Sequence, residues 1–475
     1  MGEIGGFLRY KREVSPYRET DERLKDWKEV VEPMSGEKLR QQAARCMECG
    51  TPFCHALGCP LGNLIPEFND LVYQNLWNEA YDRLELTSNF PEITGRVCPA
   101  PCESSCTLSI NDSPVSIKEI ERALIERAFM EGWVTPQPPL MESGKSVAVV
   151  GSGPSGLSAA QQLRRMGHSV IVYEQDPKPG GLLRYGIPEF KLEKSIIDRR
   201  LDIYHREGVE FETDVTIGED ISARYLRKKH DAVVLAIGCR EPRRVPVPGD
   251  ELEGVHYALD YLSASTKLVH GELSRKNLID ARNKKVLVLG GGDTGADCVG
   301  TANRQGAKKI YQFEIMPKPV DWQEGRNPEW PDFPKILRTS SSHKEGGERR
   351  WNIKTKKLYG RSVEVERGIF CRVEWSKAEN GKWGMKEVPD SDFSLEIDMV
   401  IIAAGFTGVR KSRLITDFEL ELDGRGNIAM DTEKQTSAEG VFSAGDAVSG
   451  ASLVVKAMYE GRFAADMVNR YLLKI

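Results

Sequence analysis

Two glycine-rich loops, each set between a short apolar strand and a helical pattern, constrain this chain more than any other feature. The first follows Ser146-Val147-Ala148-Val149-Val150 and reads Gly151-Ser152-Gly153-Pro154-Ser155-Gly156. It leads into a helical stretch, Leu157 to Met166, and a second strand, Ser169 to Tyr173, that ends at Glu174. The same grammar recurs at Lys285 to Leu289, Gly290-Gly291-Gly292-Asp293-Thr294-Gly295, a helix through Cys298 to Gln305, and a strand Lys309 to Phe313 ending at Glu314. A lone G-x-G-x-x-G is a weak signal, but its context here supplies the physics. The glycines allow a tight turn and close backbone approach, the helix N-terminus receives a pyrophosphate, and the later carboxylate holds ribose hydroxyls. The candidate binding residues are Gly151, Gly153, Gly156 and Glu174 in one loop, and Gly290, Gly292, Asp293, Thr294, Gly295 and Glu314 in the other. Two dinucleotide sites are therefore expected. Gly153-Pro154-Ser155-Gly156 is no nucleophile elbow, which needs a residue on both sides of serine between the glycines.

Two further runs, Ala232 to Gly238 and Met399 to Gly405, are buried-type strands ending in small residues. They are similar to the crossover strands of flavoprotein reductases with two dinucleotide domains. Gly440-Val441-Phe442-Ser443-Ala444-Gly445-Asp446 resembles the second flavin motif of that class, in which the aspartate meets the ribityl chain. The resemblance implies an FAD-binding domain from residues 145–265 and 406–475, with an NAD(P)H-binding domain, 266–405, inserted in it. Gly238, Gly405, Gly445 and Asp446 join the candidate cofactor residues. A strand-prone, turn-punctuated stretch from Val363 to Val388 is expected to decorate the insert.

The chain has 475 residues, too many for one hydrophobic core. Its 66 basic and 71 acidic side chains leave a net charge of -5, giving no electrostatic reason to expect nucleic acid or an anionic membrane as partner. No apolar run approaches the roughly 18 to 20 residues that cross a bilayer, and the start lacks a secretory h-region, so a cytoplasmic location is expected. In that reducing compartment clustered cysteines read as metal ligands or redox groups rather than disulfides. Seven of the ten cysteines fall in two runs, Cys46-x2-Cys49-x4-Cys54-x4-Cys59 and Cys98-x3-Cys102-x3-Cys106, inside a helical-looking segment that ends at the proline-rich linker Thr135 to Pro139. Zinc takes four ligands and would leave three thiols over; two cubane clusters take eight and would lack one. An attached flavin gives a cluster something to exchange electrons with, whereas zinc has no redox chemistry, so iron–sulfur is the favoured reading. The expected fold is α/β, two nested Rossmann-like dinucleotide-binding domains (FAD and NAD(P)) preceded by a helical iron–sulfur domain over residues 1–140.

Four motifs carry a closer resemblance: Arg45 to Cys54, Gly95 to Glu103, Gly180-Gly181-Leu182-Leu183-Arg184-Tyr185-Gly186-Ile187-Pro188, and Gly292 to Cys298. They resemble the small (beta) subunit of glutamate synthase nearly end to end. The wider family includes the N-terminal half of dihydropyrimidine dehydrogenase and electron-bifurcating ferredoxin reductases. The resemblance adds Gly181 and Leu182 to the cofactor residues and implies two [4Fe–4S] clusters with interleaved ligands. Cys46, Cys49, Cys54 and Cys106 would hold one; Cys59, Cys98, Cys102 and a non-cysteine ligand would hold the other. Glu121 matches that last position, with Glu119 as rival and a solvated helix carboxylate as the bland alternative.

The same resemblance implies that reduced nicotinamide passes hydride to FAD and that electrons leave through the clusters to a large (alpha) subunit carrying FMN, where glutamate forms from glutamine and 2-oxoglutarate. This chain alone is expected to be only a reductase, and no catalytic side chain is assigned. Glu314 predicts NADH over NADPH, because a carboxylate there accepts from a ribose 2′-hydroxyl and repels a 2′-phosphate; Lys318 and Arg326 remain within reach of a phosphate. Cys239, Cys298 and Cys371 are isolated and read as inert, and His55 as a loop filler. Two departures stand out, Val448 to Lys456 near the expected flavin and Arg338 to His343 on the insert. They leave room for an oxidoreductase with another acceptor, ferredoxin or polysulfide.

Overall fold

The computed structural model describes residues 2–322, 325–377 and 383–474. Its strands, in chain order, are β1 (Ser146–Val150), β2 (Ser169–Tyr173), β3 (Val209–Glu212), β4 (Ala232–Leu235), β5 (Val255–Tyr257), β6 (Lys285–Leu289), β7 (Lys309–Phe313), β8 (Glu348–Arg350), β9 (Ile353–Tyr359), β10 (Arg367–Lys377), β11 (Trp383–Glu387), β12 (Phe393–Glu396), β13 (Met399–Ile402) and β14 (Val441–Ser443).

Two five-stranded sheets follow the two glycine loops. One has the order β14-β4-β1-β2-β3 and the other β5-β13-β6-β7-β8, with every pairing parallel. Parallel sheets are covered on both faces, which is why β1, β4, β6 and β13 read as unbroken apolar runs. Helices Pro154–Arg165 and Val454–Leu472 pack on one face of the first sheet around Val147, Val149, Leu163 and Met458, while Ala148, Leu235 and Phe418 fill the other. The second sheet is likewise flanked by two cores.

The antiparallel strands β9 to β12 form a small separate sheet on the second unit. The expected decoration from Val363 to Val388 includes β10 and β11, and residues 378–382 of it lie outside the described residues.

One boundary differs from the sequence division. That division ended the first segment of the FAD unit at 265, yet β5 pairs with β13, Val255 against Val400 and Tyr257 against Ile402, and so lies in the second sheet together with helix Ala258–Val269. The reason is physical: β5 is three half-buried residues, Val-His-Tyr, too short and mixed to show a period.

Before the sheets, five helices, Gly36–Ala44, Ile65–Tyr73, Trp77–Glu85, Pro91–Val97 and Ile117–Met130, pack around Leu39, Phe68, Val72, Trp77, Leu84, Ile120 and Leu124. Helix Ile65–Tyr73 buries Ile65, Phe68, Asn69 and Val72, the i, i+3, i+4, i+7 face of an amphipathic helix. Residues 2–35 hold two short helices, Gly6–Arg9 and Thr20–Arg23, and act as a strap across the molecule. Glu29 accepts from Arg96 (2.5 Å) and Arg122 (3.1 Å) on the helical module, Val30 N donates to Phe190 O on the first unit, and Arg23 pairs with Glu345 on the second at 2.7 Å. Among the described residues no helix is long and apolar enough to cross a membrane.

Candidate functional site

The first glycine loop is closed by its own backbone. Gly151 has φ 99, and the space a side chain at Gly156 would need is filled by the Gly151 carbonyl. Gly153 heads helix Pro154–Arg165, leaving the amides of its first turn directed at the loop. Glu174, buried at the end of β2, accepts from Ser152 N at 3.0 Å, Ser152 Oγ at 2.5 Å and Asp176 N at 2.9 Å. Gly181 (φ 52) brings Leu182 against the loop, since a side chain at Gly181 would stand 2.9 Å from the Gly153 Cα. Asp446, held by Ser452 Oγ at 2.6 Å and pushed above the usual carboxylate range by burial, opens helix Asp446–Ser449.

In the second loop Gly290 (φ 126) lies against the Ala403 carbonyl and Gly292 heads helix Asp293–Gln305. Glu314 accepts from Gly291 N at 2.6 Å and Met316 N at 2.9 Å. A carboxylate has about four acceptor positions, so room remains for a ribose hydroxyl.

Both loops open on one cavity of about 1390 Å³. Gly151, Gly153, Glu174, Gly181, Leu182, Gly238 and Asp446 line it from the first unit, and Gly292, Asp293, Thr294 and Glu314 from the second. Gly156, Gly290, Gly295 and Gly445 stand behind the wall, packed against backbone or the Ser155 side chain. Gly405 also lies off the cavity, at the return crossing, where its carbonyl accepts from Arg243 N at 2.9 Å. At its far end the cavity reaches Cys98, Pro99 and Ala100 of the helical module.

The seven cysteines come together in two places. Cys46, Cys49, Cys54 and Cys106 surround a small cavity with Asn69, Ile65 and Val115. Burial pushes the Cys46 thiol up to about 11, and burial followed by Cys106, Cys46 and Cys49 raises Cys54 further. Burial takes Cys59 to about 11 and Cys98 to about 12, and Cys102 is raised by burial and by Cys59, Cys98 and Glu121. Glu121 is buried, not solvated; Thr94 Oγ1 donates to one oxygen and Asn63 Nδ2 to the other at 3.3 Å, and burial pushes the carboxyl up to about 7. Glu119, its rival, accepts instead from Ser15 Oγ at 2.5 Å and faces the large cavity.

Thiols this buried stay protonated unless a cation compensates their charge, so the donor set suits a metal centre. Among the described residues no three His, Cys, Asp or Glu side chains converge as a single metal ion requires. Two non-glycine residues in the ligand loops, Glu48 (φ 49) and Ala100 (φ 59), adopt left-handed backbone, a local strain of the kind found at functional sites.

Sequence reasoning missed Lys191 and Asp297, an ion pair beside the cavity between the units, and Arg349 on its wall; the Arg338 to His343 segment, singled out in the sequence as a departure, brings Arg338 and His343 to the same wall. Lys191 and Asp297 sit within the resemblance motif or just beyond it, but nothing local pairs them. His55 Nδ1 donates to the Asn63 carbonyl at 3.0 Å, in keeping with a loop filler.

A pyridine nucleotide-disulphide oxidoreductase model matches residues 145–461, and a model described as dihydropyrimidine dehydrogenase domain II, 4Fe-4S cluster, matches 23–133. The glutamate synthase [NADPH] small chain of Mycobacterium tuberculosis is 50% identical over 478 residues, 100% of this chain and 96% of that one. The chain belongs to the glutamate synthase small-chain family. The Bacillus subtilis glutamate synthase [NADPH] small chain is 44% identical, covering 100% of this chain and 99% of its own, and glutamate synthase [NADH] of Schizosaccharomyces pombe is 44% identical over 99% of this chain and 23% of that protein. Mycobacterium tuberculosis FprA in complex with NADPH shares the fold, with TM-score 0.55 at 18% identity over 70% of this chain and 85% of that one. The chain is thus an NAD(P)H-dependent flavin oxidoreductase with an iron–sulfur module, on the two nested dinucleotide-binding folds expected from its glycine loops.

Proposed function

We propose that this small chain is the electron-input subunit of a glutamate synthase, oxidising NADH and passing electrons to a large FMN-bearing subunit that forms glutamate from glutamine and 2-oxoglutarate. The observation that carries the reading is the single cavity joining both glycine loops to Cys98. When bound, FAD supplies the conversion of hydride into single electrons and two [4Fe–4S] clusters supply a path for them.

The chain's own residues do the rest. The first unit, 145–254 with 406–475, offers Gly151, Gly153, Glu174, Gly181, Gly238 and Asp446 to the FAD, and the second offers Gly292 to Gly295 and Glu314 to the nicotinamide nucleotide. Cys46, Cys49, Cys54 and Cys106 would hold one cluster, and Cys59, Cys98, Cys102 and Glu121 the other. Cys98 reaches the cavity, and the four-cysteine group lies beyond it with Cys49 and Cys54 partly exposed. Glu314 and the yeast relatives named [NADH] support NADH; the bacterial relatives named [NADPH], with Arg338 and Arg349 on the cavity wall, make the comparison of both cofactors necessary. Full-length relatives named small chains of glutamate synthase favour the large-subunit acceptor over ferredoxin or polysulfide. A cytoplasmic location belongs to the same reading.

Anaerobic purification with flavin, iron and sulfide counts, then titration with each pyridine nucleotide, tests it. Flavin and two clusters, with bleaching by NADH, are expected. Zinc at the thiols, or glutamate made by the isolated chain, defeats the assignment.

A further inference from the structure

Helix Ile65–Tyr73 turns one polar residue into an otherwise apolar buried face. Ile65, Phe68 and Val72 fill that face, and Asn69, at 1% exposure, stands among them. Neither Asn69 Nδ2 nor Oδ1 has a hydrogen-bond partner. Other buried amides nearby are bonded at both ends: Asn63 donates to Glu121 and accepts from Thr87, and Asn89 donates to Gln161 and accepts from Arg462. An unmade bond on a buried amide is unfavourable, so an Asn69 side chain with neither amide atom bonded calls for an acceptor other than the chain's nitrogen and oxygen atoms.

Its surroundings name the partner. Asn69 lines the same small cavity as Cys46, Cys49, Cys54 and Cys106, so the nearest acceptors open to its amide are their sulfurs. A cluster's thiolate sulfurs are hydrogen-bond acceptors, and an N–H donated to them withdraws charge. Such a bond stabilises the more negative, reduced state over the oxidised one.

We propose that Asn69 Nδ2 donates to the Cys46 sulfur of the cluster held by Cys46, Cys49, Cys54 and Cys106 and raises that cluster's reduction potential. Asn69 is a positioning and tuning residue; it binds no iron. The inference rests on the cluster assignment made above for these four cysteines.

The test uses the full chain purified without oxygen. Iron and sulfide counts on the unaltered protein come first, and absence of a cluster there defeats the earlier assignment and this one with it. With the cluster present, Asn69→Leu, the same branching without a donor, is expected to keep its iron and move the potential of one cluster downward. A tenfold change in the reduced-to-oxidised ratio at fixed potential corresponds to about 59 mV for a one-electron couple. Resonance Raman spectra should lose part of the iron–sulfur frequency shift seen on exchange into D2O, and Asn69→Ser, which keeps a short donor, should fall between the two. An unmoved potential and Raman shift in Asn69→Leu overturn the proposal while leaving the cluster assignment intact. Loss of iron from both variants with native circular dichroism also overturns it, because a tuning donor is not needed to hold the cluster.

Discussion

Glu92 and Arg200, 108 positions apart, meet in the protein interior through two parallel hydrogen bonds of 2.6 and 2.8 Å. The pair joins helix Pro91–Val97, which leads directly into Cys98, to helix Lys194–Glu207 of the first dinucleotide unit. It is almost fully buried, with side chains 0% and 6% exposed. Its neighbours extend the joint: Asn89 donates to Gln161, and Gln161 to Glu207. The cysteine module is thereby fixed against the sheet that carries the first glycine loop.

Breaking a buried pair by removing one partner strands the other charge, at a penalty of about 3–5 kcal/mol. Glu92→Ala should lower unfolding free energy by that order in urea denaturation. The double change Glu92→Leu with Arg200→Met should recover most of the loss. Equal destabilisation by the single and double changes would mean that packing, not charge, joins the modules.

Glu121, buried near Cys102 and braced by Thr94 and Asn63, is the eighth ligand in the proposed cluster assignment. Glu121→Ala should cost one cluster, leaving about four irons per chain of the eight that two cubanes hold. Unchanged iron content and spectra would remove it from the ligand set.

Glu314 keeps acceptor capacity beyond its bonds to Gly291 N and Met316 N. A hydrogen bond to a charged group is worth about 1.5–3 kcal/mol, so Glu314→Ala should reduce the ratio of kcat/KM for NADH to that for NADPH by about tenfold to a hundredfold. A wild-type preference for NADPH in the same assay reverses the reading.

Lys191, from the first unit, and Asp297, on the helix after the second glycine loop, form an ion pair beside the cavity. The pair ties the two dinucleotide units together where flavin and nicotinamide must meet. Misplacement by about 1 Å can cost about a hundredfold in rate. Lys191→Met should therefore slow flavin bleaching by reduced nicotinamide in stopped flow by about tenfold or more at unchanged flavin content. Bleaching at the wild-type rate would show that the tether is dispensable.

His343 links three elements as a neutral ring. Its Nδ1 accepts from Ser340 N at 3.2 Å, its Nε2 donates to Gln312 Oε1 at 2.9 Å, and Gln312 Nε2 donates to Gly290 O at 2.8 Å. Burial, then the charges of Arg349 and Lys191, lower its pKa to about 4. The unfolded ring titrates near about 6.5, so between these values the unfolded state binds more protons. The stabilisation is complete above the unfolded value and is lost as pH falls toward 4. Urea midpoints at pH 7 and pH 5 should differ more in the wild type than in His343→Gln, and equal differences would exclude His343 as a source.

What could be read locally was read from repeating physical patterns. The strand–glycine loop–helix runs around Gly151 and Gly290 appear where expected because each is specified by adjacent residues. β5 escaped because three half-buried residues carry no period, and Lys191–Asp297 because the partners lie on different units. Residues 2–35 read as part of a helical segment but serve as a strap, whose bonds from Glu29 and Arg23 have no local signal.

By itself the sequence determined the two nucleotide folds, their order, and a thiol-rich module ahead of them, since turn chemistry, apolar periodicity and soft-ligand composition are properties of neighbouring residues. The grouping of Cys106 with Cys46, Cys49 and Cys54 came from the family resemblance, and the structure brings the four around one cavity; only the tertiary structure decided that Glu121 is buried beside Cys102 and that one cavity runs from both glycine loops to Cys98. Those arrangements depend on the packing of segments far apart in the chain, and packing is settled by the sum of buried surface and satisfied polar groups rather than by any local pattern.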